Sequence, residues 1–230
     1  MWGGSSAEEA ESASDGVNMA QPTKAEALAM SKYAYGGASA KGLDFGTWKP
    51  VSNQEFGLLM SDESSGYQAA LFERKISGVT QYTLAFAGTE EIKRDGLNDV
   101  LQVLGASEQY AEAVGDAHTL SDAVGRTYAI YVGHSLGGGL AIAASMATGS
   151  NAVTFNPAWV SDATIDHLVL NHPGHIDNYI IRGEILDYAQ KKYGSDFGLH
   201  SHGDNHYESS WRTLVPGAAG RVLAHFKESF

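Results

Sequence analysis

Ser135 lies in Gly133-His134-Ser135-Leu136-Gly137, a setting in which a serine can do chemistry. A hydroxyl attacks a carbonyl poorly until a neighbouring base takes its proton. The five residues join a β-type run, Tyr128 to Val132, to a run of small helix formers, Gly138 to Ala144. Strand, tight turn and helix in immediate succession put the serine at the apex of the turn, the arrangement called a nucleophile elbow. The turn needs a positive φ, and a side chain at Gly133 or Gly137 would collide where strand and helix close on each other. Ser135 is therefore the predicted nucleophile.

A base and an acid must complete the relay. Three of the nine histidines crowd into Leu199-His200-Ser201-His202-Gly203-Asp204-Asn205-His206-Tyr207, which reads as a loop opening a C-terminal helix through Trp211 and Leu214. His202 is the predicted base, with His206 and His200 as alternatives. His134 is expected to point away from Ser135 and to pack. His118, His167, His172, His175 and His225 carry no companion signal and read as surface residues. For the acid, the run Asn178 to Arg182 leads into Gly183-Glu184-Ile185-Leu186-Asp187. Glu184 then falls just past the C-terminal end of a strand, where the crevice of an open α/β sheet lies. Asp187 is the reserve acid; Asp162 reads as a helix cap, and Asp177 precedes its strand.

Negative charge developing on a carbonyl oxygen calls for aimed donors, commonly backbone N–H groups. Leu136 supplies one by position, and Thr89, in the turn Phe86-Ala87-Gly88-Thr89, is the candidate for the second; a plain turn or capping role fits Thr89 equally well. His202 and His206, four residues apart, could instead share a helix face and bind a metal. No Glu adjoins the first of them, and the elbow would be left without a role, so neither metal nor cofactor is expected.

The elements needed to hold these groups follow from the surrounding pattern. Thr23 as N-cap and Glu26 as its capping-box partner open a helix to Ala34, closed by Gly36-Gly37. Three β-type runs, at 56–60, 67–72 and 80–86, are separated by Asp/Ser/Gly turns. Residues 95–117 read as helical with a break at Gly105, the second piece running through Tyr110, Ala113 and Val114. After the elbow come strands at 152–155 and 178–182, with a helix from Asp162 to Leu170 between them. This rhythm predicts an α/β fold with a mostly parallel central sheet and flanking helices.

A chain of 230 residues fits one such domain, assigned to 23–230, while the Gly/Ser/Ala/Glu-rich residues 1–22 read as a flexible tail or linker. Fifteen basic against 27 acidic residues give a net charge of −12, which argues against a nucleic-acid partner. No apolar run spans a bilayer and no signal peptide opens the chain, so a soluble protein is expected, exported if at all by a signal-independent route. The absence of cysteine leaves the redox compartment open.

These pieces resemble the class 3 lipases, a family of α/β-hydrolases. Phe86-Ala87-Gly88-Thr89 is similar to the family's F-R-G-T/S oxyanion turn, and Asp95-Gly96-Leu97-Asn98-Asp99-Val100 to its D-W-L-x-D-L. Gly133 to Gly138, Thr154-Phe155-Asn156-Pro157 and Gly183-Glu184-Ile185-Leu186 match the elbow, the following strand and the acid turn. The resemblance covers about residues 80–215 and implies Ser135 as nucleophile, Thr89 and Leu136 as oxyanion donors, and Glu184 as the acid. The pair His202 and Tyr207 fits an H-x-x-x-x-Y pattern of some members. Ala87, Gly96 and Glu184 depart from the usual Arg, Trp and Asp, and the 18 residues from Glu184 to His202 are few for the fungal members. The runs 97–102 and 109–113 also look like lipase-type toxin domains of bacterial secreted effectors. That likeness implies a larger delivery protein and an immunity protein as partners.

The expected activity is hydrolysis of carboxylic esters, with lipid or phospholipid as substrate through transient membrane-surface contact. Residues 90–117 are a candidate amphipathic lid, or an ordinary packing helix. The alternatives are a small-ester esterase or peptidase on the same fold, and an inactive hydrolase-like binding module.

Overall fold

The structure, a computed structural model, describes residues 20–36, 42–52, 55–88 and 107–210. Most of the expected tail, Thr89, residues 90–106 of the candidate lid, the expected helix through Trp211 and Leu214, and His225 lie outside the described residues.

Helix α1 (Lys24–Ala34) opens on the expected capping box: Glu26 N–H donates to Thr23 Oγ1, and Thr23 N–H to Glu26 Oε2 at 2.8 Å. Strands β1 (Lys49–Val51) and β2 (Ser61–Asp62) both pair antiparallel with β3 (Tyr67–Ile76). A two-residue turn, Ser77-Gly78 with φ of 50° and 87°, joins β3 to β4 (Val79–Phe86); two positive φ values match the twist of a tight hairpin. Helix α2 (Ser107–Val124) leads to β5 (Ala129–His134), whose residues are all buried, as a central parallel strand covered on both faces must be. Then follow α3 (Leu136–Thr148), β6 (Asn151–Phe155), β7 (Val160–Ser161) and α4 (Asp162–Leu168). The described chain ends with β8 (Ile176–Ile181), α5 (Ile185–Tyr193), a 3-10 turn (Gly194–Phe197), β9 (Leu199–His200) and β10 (Asp204–Glu208).

The central sheet has the order β1-β3-β4-β5-β6-β8-β10. Its first pairs are antiparallel and every pair from β4 onward is parallel. Strands β7 and β9 form a separate antiparallel pair. Alternation along the strands sends Phe72, Ala85, Ile130, Val132, Val153 and Phe155 towards α1. Leu71, Leu84, Tyr131 and Ala152 go to the opposite face, packed with Tyr110, Ala113 and Leu120 of α2 and Leu140 of α3. The described part of the candidate lid, 107–117, is therefore a packing helix.

Two expectations need correction. The run 56–60 is not a strand: Leu59 and Met60 donate their N–H groups to the Asp116 carboxylate at 2.6 and 3.0 Å, and Met60 takes φ 62°. Residues 204–208, expected in a loop, form β10, the edge strand among the described residues, parallel to β8 in register from Asp204↔Asp177 to Glu208↔Ile181.

Candidate active site

Ser135 stands between β5 and α3 with φ 57° and ψ −126°. A non-glycine residue there costs about 1–3 kcal/mol of strain and needs surroundings that over-determine it. They do: Ser135 donates its N–H to the Phe155 carbonyl at 3.0 Å, and its carbonyl accepts from Gly138, Gly139 and Ala158 at 3.0, 3.2 and 2.9 Å. The positive φ thus belongs to the serine and not, as expected, to the flanking glycines. Their task is space, because a Cβ on Gly133 would strike the Gly137 carbonyl, and one on Gly137 the Phe86 carbonyl. Ser135 is buried, and among the described residues its Oγ has no hydrogen-bond partner.

The end of β4 lies directly on this elbow. A Cβ on Gly88 would come within 2.9 Å of the His134 carbonyl and 3.3 Å of the Leu136 nitrogen. The turn that begins Phe86-Ala87-Gly88 therefore runs over the N–H at the head of α3, one candidate oxyanion donor. Thr89, the other, is the next residue and lies outside the described set. Helix α1 contributes from the other side: the Tyr35 hydroxyl is 3.3 Å from both Nδ1 and the carbonyl oxygen of His134. His134 packs beneath the elbow, and burial pushes its pKa down from 6.5 to about 4, which keeps the ring neutral.

Glu184 follows β8 through Gly183 at φ 76° and caps α5, accepting from the N–H groups of Leu186 at 2.9 Å and Asp187 at 3.4 Å. Donors at a helix N-terminus favour a charged carboxylate. Strands β5 and β8 are two places apart, about 10 Å at strand spacing, a gap that one imidazole hydrogen-bonded at both ends can bridge. Asp187 is buried and turned to Lys191 at 2.8 Å, so its carboxylate is already engaged. Asp177 is the second residue of β8 rather than preceding it, and Asp162 opens α4, whose cap is Ser161.

A residue missed in the sequence ties the two halves together. Asn156, buried and in the left-handed region at φ 40°, donates its N–H to the Tyr179 carbonyl at 2.9 Å and accepts from Ile181 N–H on Oδ1 at 2.7 Å. Pairing between β6 and β8 ends at Phe155↔Tyr179, and this side chain extends it to the residue whose carbonyl accepts from Glu184 N–H at 3.2 Å. Asn-Pro after a strand was the available signal.

The histidine-rich stretch does not meet the elbow. His134, Phe155, Tyr179 and His206 lie in one register row across β5, β6, β8 and β10, which puts His206 three strand spacings, about 14 Å, from His134. His206 stacks on Tyr179 with ring centroids 5.0 Å apart and holds Asp177 Oδ1 at 2.7 Å, on the face that α1 covers. His202 lies lower still. Its carbonyl accepts from Asn178 Nδ2 at 2.6 Å, and the adjoining Gly203 abuts Ile176, the first residue of β8, at the end of the sheet opposite Ser135. Burial, then the nearby His200, lower the His202 pKa, and Asp162 opposes them. His200 is exposed, with Nε2 3.2 Å from Asp162. None of the three meets Ser135 in this arrangement: they follow a crossover that returns the chain to the N-terminal ends of the parallel strands. Nor do His202 and His206 share a helix, and among the described residues no three His or acidic groups are placed to hold a metal.

Comparison with known proteins gives concordant matches. Residues 26–227 match the family model described as phospholipase-like, Tle-like phospholipase domain. An extracellular phospholipase A1 of Serratia liquefaciens is 42% identical over 145 residues, which make up 61% of this chain and 43% of that protein. The chain thus spans less than half the length of this curated relative. Lipase II from Rhizopus niveus superimposes with a TM-score of 0.54 at 15% identity, covering 81% of this chain and 80% of that one. The native Rhizomucor miehei lipase propeptide complex does so with 0.52 at 12% identity, covering 90% and 70%. At such identities the two structures speak to the fold alone, and that fold is the α/β sheet of the lipases.

Proposed function

We infer what this chain does from a premise: it belongs to the family of Tle-like phospholipase domains. We propose a serine hydrolase that cleaves carboxylic ester bonds of phospholipids through an acyl-enzyme. The observation that carries this reading is the strained, buried Ser135 with the Gly88 turn against the Leu136 N–H on one side and the Glu184 cap two strands away on the other. A base takes the Ser135 proton as Oγ attacks the ester carbonyl, the Leu136 N–H and Thr89 bind the oxyanion, and the protonated base donates to the leaving alcohol. Water then repeats the cycle and releases the fatty acid.

Of the nine histidines eight are described, and because none of His200, His202 and His206 meets Ser135, His225 is the proposed base. His202 is the alternative. Replacing each singly by Ala separates them: His225→Ala should lower ester turnover by at least about a thousandfold, and His202→Ala should leave it near wild type. The reverse result would restore His202. A fluorophosphonate probe tests the class of protein, since failure to label Ser135 in the wild type would leave a hydrolase-like binding module. Mass spectrometry of the products from mixed phospholipids and triglycerides distinguishes phospholipase from lipase or small-ester esterase.

The finer reading, a secreted antibacterial effector with a delivery protein and an immunity partner, rests on the likeness of the runs 97–102 and 109–113 to effector toxins. Periplasmic expression checks it: growth arrest that depends on Ser135 supports it, and harmless expression of an active enzyme opposes it. No helix among the described residues is long and apolar enough to cross a membrane.

A further inference from the structure

We propose that the outer face of α5, with Arg182 before it and Phe197 after it, is a docking surface for anionic phospholipid bilayers. The inference rests on the phospholipid-hydrolase reading and names the surface from which that site is fed. Helix α5 is capped by Glu184, and exposed Tyr188, one turn from the proposed acid, donates its N–H to the Glu184 carbonyl at 3.0 Å. The inner face is fixed, with Leu186, Ala189 and Gln190 buried and Gln190 bonded to both Trp159 N–H and the Pro157 carbonyl. The outer face carries Tyr188, Lys191 and Lys192.

Two independent observations suit this face to a bilayer of anionic headgroups. First, among the described residues neither Arg182 nor Lys192 lies within ion-pair distance of a carboxylate, whereas Lys191 beside them is paired with Asp187. They lie over rings instead: Arg182 is 4.9 Å from the Tyr207 centroid, which Lys191 also approaches at 4.3 Å, and Lys192 is 4.9 Å from Tyr193 and 5.6 Å from Tyr188. A ring holds a cation in place without neutralising it, leaving its outer side for a phosphodiester. Second, Tyr188 and Phe197 are 58% and 53% exposed, two of the four large hydrophobic side chains exposed among the described residues. An amphipathic ring, Tyr188, beside Lys192 suits the level of the headgroups, and Phe197 adds apolar surface in the turn after the helix.

Partitioning is measured by vesicle sedimentation in the Ser135→Ala background, where no lipid is consumed, on phosphatidylcholine vesicles with and without phosphatidylglycerol. Arg182→Gln with Lys192→Glu should weaken binding to the anionic vesicles by at least about tenfold. Tyr188→Ser with Phe197→Ser should weaken it on both vesicles, and Lys75→Glu, exposed on β3, should change nothing. Turnover of a soluble short-chain ester by the same patch variants with Ser135 intact should match the wild type, which also certifies folding. Binding retained within about twofold in the charge variant, or lost equally in Lys75→Glu, would overturn the docking surface. A wild type inert on the soluble ester would sink the catalytic reading instead.

Discussion

Asn156 ties the strand beside Ser135 to the turn that carries Glu184, and its replacement separates folding from alignment. Asn156→Gly keeps the left-handed conformation but removes the acceptor for Ile181 N–H, so the turn carrying Glu184 loses its tie to the strand beside Ser135. Because misplacement of about 1 Å can cost a hundredfold in rate, kcat on a soluble ester should fall by about ten- to a hundredfold with KM little changed. Asn156→Asp, which retains an acceptor oxygen, should recover part of the loss. An unchanged kcat in Asn156→Gly would remove Asn156 from the positioning role. His134 gives a pH signature. Its folded pKa of about 4 lies below the ordinary 6.5, so the unfolded chain binds the proton more readily. This contribution to stability is complete above pH 6.5 and drains away as the pH falls to about 4, by up to about 3 kcal/mol. Urea midpoints across that window should show the slope in the wild type and a flatter one in His134→Gln.

At the scale of elements, an internal carboxylate does what a strand was expected to do. Asp116 on α2 accepts from the N–H groups of Leu59 and Met60 and, at 2.8 Å, from the Tyr67 hydroxyl, fixing the stretch before β2 to the core. Asp116→Ala leaves three donors without their acceptor at about 1 kcal/mol or more each; thermal unfolding should move down by roughly 10 °C. A shift near zero would mean that water replaces the carboxylate. The same stretch shows where sequence pattern loses its hold, since Phe56-Gly57-Leu58-Leu59-Met60 has strand composition and only a contact 57 residues away decides otherwise. Strand β10 fails in the opposite direction: Asp204-Asn205-His206-Tyr207-Glu208 has no apolar alternation because it is a polar edge, identified only by its register with β8. The elbow was legible because strand, Gly-x-Ser-x-Gly and helix are contiguous and each glycine has a local reason. The position of Glu184 was legible because a strand end is local too. The placement of His200, His202 and His206 was not, because it depends on which end of the sheet a crossover returns to.

Over the whole molecule, a net charge of −12 and a ring-borne cation cluster make opposite demands on an anionic membrane. The first acts at long range and is screened beyond about 10 Å at 0.1 M salt, whereas contacts between headgroups and Arg182 or Lys192 act at a few ångströms and weaken only at higher salt. Binding of the Ser135→Ala protein to phosphatidylglycerol vesicles should therefore rise from about 10 mM to about 100 mM salt as repulsion is screened, then fall towards 1 M as the local contacts are lost. In Arg182→Gln/Lys192→Glu the falling limb should disappear, leaving weak binding that only rises with salt. A wild-type curve that falls from the lowest salt would mean that attraction dominates at all distances, which this charge balance does not allow. A curve identical in the variant would take these two cations out of the contact.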